Sequence, residues 1–235
     1  MIDILPMASS SAGNAYRVTD GQTMLLLEAG LAYKEIQRAL HFKVTQLAGC
    51  LITHEHGDHS RAAKDLMRAG VSIYTSEGTS DALGLFGHRL RPVKAHTQLT
   101  IGTWTVMPFD VEHDAAEPLG FVLANTAGDK LVFLTDSYYS RYTFSEITHL
   151  MVECNYALDI VNRRVDAGEL HPAQKRRLLQ SHFGLDNVKD MLRANDLSRL
   201  REVWLLHLSD SNSDAERFKR EVQEITGTVV HVAQR

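Results

Sequence analysis

Residues 53 to 59 read Thr-His-Glu-His-Gly-Asp-His, which places three imidazoles and two carboxylates within seven positions. Packing so many imidazoles beside carboxylates costs desolvation and repulsion unless cations compensate. Neutral imidazole with carboxylate suits zinc, manganese or iron, and is too rich in nitrogen for calcium or magnesium. Side chains on an extended segment alternate faces, so His54 and His56 point one way and Glu55 the other. Gly57 permits a tight turn, which leaves Asp58 and His59 at the entry to the following helix. His54, His56, Asp58 and His59 therefore converge beyond one strand end.

The zinc protease pattern H-E-x-x-H starts in the same way, but Asp58 stands where its second histidine belongs and Gly57 disfavours a helix there. Four donors do not satisfy two ions. The positions that could add to them are His113 at the strand end Asp-Val-Glu-His-Asp, Asp136 after the apolar run Leu-Val-Phe-Leu-Thr, and His207 after Val-Trp-Leu-Leu.

The elements that position these groups are legible from patterning. Strands are expected at 2–5, 15–18, 23–28, 49–53, 71–75, 99–110, 119–126, 130–135, 147–153, 203–207 and 228–232. Helical spacing marks 32–42, 62–70, 157–165, 172–181, 184–194 and 211–225. Strands first, then helices, then strand, helix and strand predict an α/β fold of two packed sheets with helices outside, a four-layer αββα sandwich. With no Pro/Gly-rich linker, residues 1–235 read as one domain.

The chain has 235 residues, 44% hydrophobic and 23% charged, so a sizeable core needs no staple and metal is not called for by stability alone. No basic leader and no run of 18 apolar residues is present, so a cytoplasmic protein without a membrane anchor is expected. Cys50 and Cys154 each adjoin an apolar run, as buried thiols of a reducing compartment do. Net charge is −4, yet residues 160 to 201 hold nine cations against five anions. That segment offers a basic face, with Lys175, Arg176 and Arg177 at its centre, to a phosphate-bearing partner.

The order H-x-H-x-D-H, then His113, then Asp136, then His207 closely resembles the metallo-β-lactamase fold superfamily. The resemblance implies that His54, His56 and His113 bind one divalent ion, that Asp58, His59 and His207 bind a second, and that Asp136 bridges them. Asp58 counts as catalytic as well. Glu28 in Leu-Leu-Leu-Glu-Ala-Gly stands where the superfamily usually has aspartate beneath the site. Two such ions about 4 Å apart would share a hydroxide and clamp the oxygens of an ester or phosphodiester. Lowering the pKa of water from about 15.7 to about 7 is worth on the order of 12 kcal/mol toward the nucleophile.

Further stretches are similar to the nuclease and phosphodiesterase branch, above all to the small exonucleases of the YycJ (WalJ) group. Ser-Ser-Ser-Ala-Gly-Asn-Ala-Tyr at 9–16 resembles that group's opening, which implies substrate contacts from Ser9, Ser10 and Asn14. Val-Glu-Cys-Asn-Tyr at 152–156 and Ser-His-Phe-Gly-Leu-Asp-Asn at 181–187 resemble the ribonuclease Z elements that protonate a leaving group. His182 would then be the proton donor and Glu153 its orienting acid. The segment Leu-Leu-His-Leu-Ser-Asp-Ser-Asn at 205–212 is similar to that group's last ligand motif. The expected activity is a dinuclear zinc or manganese (or iron) phosphodiesterase acting on nucleic acid, DNA favoured, using a metal-bound hydroxide. The alternative is a hydrolase of small esters, thioesters, lactones or cyclic phosphodiesters.

Overall fold

The computed structural model describes residues 1–233. Its backbone divides into two compact units, residues 1–110 with 115–129, and residues 111–114 with 130–233.

The first unit opens with β1 (Asp3–Ser10), β2 (Gly13–Thr19) and β3 (Met24–Leu27), then α1 (Tyr33–Ala39), β4 (Leu47–Leu51), α2 (Gly57–Ser60) and α3 (Ala63–Arg68). There follow β5 (Ile73–Thr75), α4 (Glu77–Ala82), β6 (Leu90–Pro92), β7 (Leu99–Ile101), β8 (Trp104–Asp110) and β9 (Leu119–Asn125). A sheet runs in the order β1-β2-β3-β4-β5-β6, antiparallel from β1 to β3 and parallel from β3 to β6. Helices α1 and α3 cover it because Ile36, Leu40, Ala63 and Leu66 pack on Leu26, Cys50, Ile52 and Ile73. In parallel sheets functional groups gather beyond the carboxyl ends of the strands. Glu28 directly follows β3, and the His54 segment follows β4.

Two local expectations are corrected. Residues 99–110 form two antiparallel strands, because Gly102 takes a left-handed turn (φ 58°) with its Cα against Thr23. The second concerns Gly57, which was expected to disfavour a helix. It opens the helical turn α2, with His56 as the preceding cap residue.

The second unit holds β10 (Lys130–Leu134), β11 (His149–Glu153), α5 (Leu158–Asp166), α6 (Pro172–Ser181), α7 (Leu185–Ala194), β12 (Glu202–Leu206), α8 (Ala215–Thr226) and β13 (Val229–Val232). Its strands are parallel in the order β10-β11-β12-β13. Near-continuous apolar runs such as Leu131–Leu134 suit strands buried on both faces. The register pairs Leu134 with Val152 and Glu153 with Leu206, which brings Asp136, Glu153 and His207 to one carboxyl edge. Helix α7 buries Leu185, Val188, Met191 and Leu192 on one face, whereas α6 has no fully buried residue. The bounds of α8 follow from its caps: Asp214 accepts the Arg217 amide (3.0 Å), and Gly227 ends the helix at φ 64°.

Candidate metal centre

In the first unit three histidines crowd one edge of the sheet. The His54 Nε2 and His56 Nδ1 atoms are 3.1 Å apart, so the two side chains do share a face as the alternation predicted. Glu55 points away and accepts the Ala116 amide through Oε1 (2.8 Å). The Thr53 hydroxyl meets His54 Nδ1 at 2.8 Å, which leaves the Nε2 side of that ring for an ion. His59 is fully buried, with its ring centroid 4.2 Å from that of His54. Its Nε2 lies 3.3 Å from Asp58 Oδ2 and 3.2 Å from the Asn14 amide nitrogen. Because that amide donates, Nε2 accepts and Nδ1 carries the proton, facing Glu28 Oε1 at 3.7 Å. Glu28 is completely buried, and burial pushes its carboxyl up against the opposing pull of His59 and Thr53. The longer acid therefore approaches His59, one of the candidate ligands, to 3.7 Å.

In the second unit Asp136, Glu153, His182 and His207 each offer an atom within 4.8 Å of the others. His207 Nδ1 is 2.7 Å from Asp136 Oδ1 and 3.2 Å from Glu153 Oε1. His182 Nδ1 meets Glu153 Oε1 at 2.6 Å. Glu153 is held further by the amides of Phe183 (3.1 Å) and Ser137 (3.3 Å) on Oε2. His113 donates from Nδ1 to the Ser181 carbonyl (3.1 Å) and turns Nε2 toward Asp136 Oδ2 at 3.8 Å.

Two buried carboxylates in one pocket demand positive charge. Burial works against charging His207, yet Asp136 and Glu153 beside it push its pKa up to about 10. Burial likewise opposes charging His182, and Glu153 overrides it in the upward direction. Glu153 itself stays low despite complete burial, because His182 faces it. A divalent cation answers the same demand by displacing protons from the imidazoles. The donor set of each unit, imidazole nitrogens oriented by a partner on the other ring nitrogen together with carboxylates, suits such an ion.

Three of these positions hold left-handed backbone without being glycine: Glu28 (φ 62°), Asp136 (φ 44°) and His207 (φ 53°). Each follows a strand end, and each such residue costs on the order of 1–3 kcal/mol. The bend re-aims a side chain that continued strand geometry would send to alternate faces.

Residues 23–208 match the Beta-lactamase superfamily domain. The chain belongs to the metallo-β-lactamase superfamily. It is 27% identical over 234 residues to exodeoxyribonuclease YycJ of Bacillus anthracis, covering 93% of this chain and 87% of that one. It is 28% identical over 228 residues to exodeoxyribonuclease WalJ of Streptococcus pneumoniae, covering 89% and 82%. Among solved structures it is similar to the metallo-β-lactamase fold protein YhfI of Bacillus subtilis, with a TM-score of 0.74 at 14% identity over 100% and 97% of the two chains. The α/β metallo-β-lactamase fold expected from the sequence is thus the fold of this chain, a hydrolase of that superfamily.

The remaining predicted site residues of this superfamily member fall into two groups. Ser9, Ser10 and Asn14 are buried at the β1–β2 hairpin. Ser9 Oγ bonds the Tyr16 hydroxyl (2.7 Å), and Asn14 Oδ1 accepts the Ser10 amide (3.1 Å) while its Nδ2 reaches His59 and the Asp58 carbonyl. Arg176 and Arg177 border a cleft of about 540 Å³ that His113, Tyr138 and Ser181 also line. Lys175 instead turns to Asn162 Oδ1 (2.6 Å). His182 caps the end of α6, and α7 begins three residues later.

Sequence reasoning missed Gly30. A Cβ there would lie 1.7 Å from the Asp58 carbonyl oxygen, so only glycine lets this loop run against the turn that carries Asp58 and His59. The Leu-Glu-Ala-Gly stretch after a strand was the available signal. Among the described residues no helix is long and apolar enough to cross a membrane. Cys50 and Cys154 are free and fully buried, as expected.

Proposed function

We propose that the chain is a metal-dependent phosphodiesterase of nucleic acid, and specifically a DNA exonuclease. Residues 1–235 are read as one catalytic domain in which His54, His56 and His113 hold one divalent ion, Asp58, His59 and His207 a second, and Asp136 both; zinc or manganese suits these donors, with iron also compatible. Such ions supply an acidified water and a clamp for phosphoryl oxygens.

The observation that carries the reading is the charge of the cleft beside His113. Among the described residues the side chains of Arg176 and Arg177 make no ion pair, whereas Arg163, Arg164, Lys189 and Arg193 on α5 and α7 are each paired with a carboxylate. Glu112 and Asp114 line the same cleft, but Glu112 is paired with Arg141, so two guanidinium groups face one carboxylate at this rim, which favours a phosphate-bearing substrate over an apolar ester. His182, kept protonated by Glu153, donates a proton to the departing alkoxide, and Glu153 positions it through Nδ1. Ser9, Ser10 and Asn14 support the ligand turn from behind, and Lys175 contributes to the basic face at longer range. The names of the bacterial relatives, exodeoxyribonucleases at 27% and 28% identity, favour DNA. Two buried free thiols fit a reducing cytoplasm.

The test is incubation of zinc- or manganese-reconstituted protein with end-labelled single- and double-stranded DNA and RNA, beside bis(p-nitrophenyl) phosphate and a thioester and lactone panel. Progressive release of mononucleotides from DNA, abolished in Asp136→Ala, is the expected result. Turnover confined to thioesters or lactones overturns the reading.

A further inference from the structure

The segment after Asp136 carries an exposed aromatic side chain to the arginine-bordered cleft. We propose that Tyr138 is a stacking platform for a nucleobase, so that the cleft takes single-stranded polynucleotide, with phosphates on Arg176 and Arg177 and an unpaired base on the phenol ring; this rests on the phosphodiesterase reading above.

Three observations converge on it. Tyr138 is 40% exposed and lines the cleft of about 540 Å³ that Arg176 and Arg177 border, a volume in the range of small-ligand sites. Its backbone is fixed although its ring is not covered: the amide donates to the Glu112 carbonyl (3.2 Å) and the carbonyl accepts Asn187 Nδ2 (3.0 Å). Ser137 locks the same turn, its amide on Glu153 Oε2 and its hydroxyl on the Tyr139 carbonyl (2.7 Å).

A ring on a pinned backbone has two side-chain torsions left to order, so stacking on it costs little entropy. Exposed apolar area beside unneutralised guanidinium groups is the pairing that single-strand binding uses, since every base has a face to stack and every linkage a phosphate. Bases in a duplex have both faces covered by their neighbours, and only an unpaired base can lie on Tyr138. Arg141, close by on the same segment, pairs with Glu112, which leaves Asp114 as the one lining carboxylate against the two guanidinium groups of Arg176 and Arg177. The site therefore selects a single-stranded end or a frayed terminus.

The test measures kcat/KM of the metal-reconstituted protein on end-labelled oligonucleotides in which one abasic residue is walked along the strand. At one position the abasic residue should lower kcat/KM by ~5- to 150-fold, the range a single stacked base supplies. Tyr138→Leu should lower turnover of the intact strand by the same factor and abolish the abasic penalty, and Tyr138→Phe should restore both. Blunt duplex should be cut more slowly than single strand by a similar factor. An abasic penalty at no position, or one that Tyr138→Leu leaves unchanged, overturns the platform while the phosphodiesterase reading stands. Cleavage of no oligonucleotide at all overturns both. The abasic series on the unaltered protein needs no variant to fold.

Discussion

Gly30→Ala and Gly57→Ala should have opposite consequences, although a reading of the motif alone would make Gly57 the essential glycine. A Cβ on Gly30 would lie 1.7 Å from the Asp58 carbonyl oxygen, 2.3 Å from its carbon and 2.7 Å from the Asn14 nitrogen, all of them backbone atoms. Reaching an ordinary contact of about 3.4 Å requires a main-chain shift of roughly 1.7 Å, which no rotamer change can absorb. That shift breaks a local net in which Gly30 N–H donates to the Asn14 carbonyl (2.8 Å), Ala29 N–H to His59 (2.7 Å) and Ala62 N–H to Ala29 (2.8 Å). Three such bonds at about 1 kcal/mol each, with local strain, give a loss of about 3–5 kcal/mol. On Gly57 the added Cβ meets nothing within 4 Å, and the residue sits in a helical turn, so alanine should be neutral or stabilise by up to about 1 kcal/mol. Urea unfolding of the chelator-treated proteins reads the difference, a midpoint shift of about 1–2 M for Gly30→Ala. Bound metal counted after reconstitution should fall in the same variant, because Asp58 and His59 move with the turn. Equal midpoints and equal metal content for the two variants would refute the reasoning.

Further expectations follow from the second unit. His182→Ala should retain bound metal and lose about 10²–10⁴ in kcat, the usual share of a positioned acid, whereas Glu153→Gln should move the high-pH limb of the kcat profile to lower pH because the carboxylate no longer raises His182. Chelator-treated protein should lose stability as pH rises from about 6.5 to 10: the His207 pKa is raised to about 10 in the fold, so its contribution is complete below the unfolded value of about 6.5 and gone above 10. The shift of about 3.5 units bounds that loss near 5 kcal/mol, readable by urea unfolding across the pH series, and metal affinity should rise over the same window as the competing proton leaves. Replacing Arg176 and Arg177 together by Gln should raise KM for DNA and flatten its salt dependence, by a slope change of about 1.4 for a single strand, while stability is unchanged.

Much of this was legible in the sequence because the strands of both units are apolar runs bounded by turn residues and the candidate ligands sit where those runs stop. Leu131 to Leu134 running toward Asp136, and Val203 to Leu206 running into His207, required no tertiary information. What the sequence concealed depends on contacts between distant segments. Asn14 looks like part of a substrate cradle in its own neighbourhood, and its approach to the candidate ligand His59, 45 residues away, could not be read there. Gly30 matters through the Asp58 carbonyl, and Gly57 through nothing it touches. The left-handed backbone at Glu28, Asp136 and His207 gives only a weak sequence signal: Asp and His are enriched there but still mostly adopt other conformations, and Glu is not enriched. Short polar elements such as α4 and β6 lack enough residues to show a period. The special place of Arg176 and Arg177 among many cations emerged only when the partners of the others were known.

The most direct test of a two-ion phosphodiesterase is a single titration. Chelator-treated protein is given increasing zinc or manganese, and bound ions per chain are counted alongside release of mononucleotides from end-labelled DNA in the same samples. Activity should rise with occupancy and reach its maximum at two ions per chain. Full DNA hydrolysis without bound metal, or two bound ions with no phosphodiester cleavage on any strand, would contradict the account.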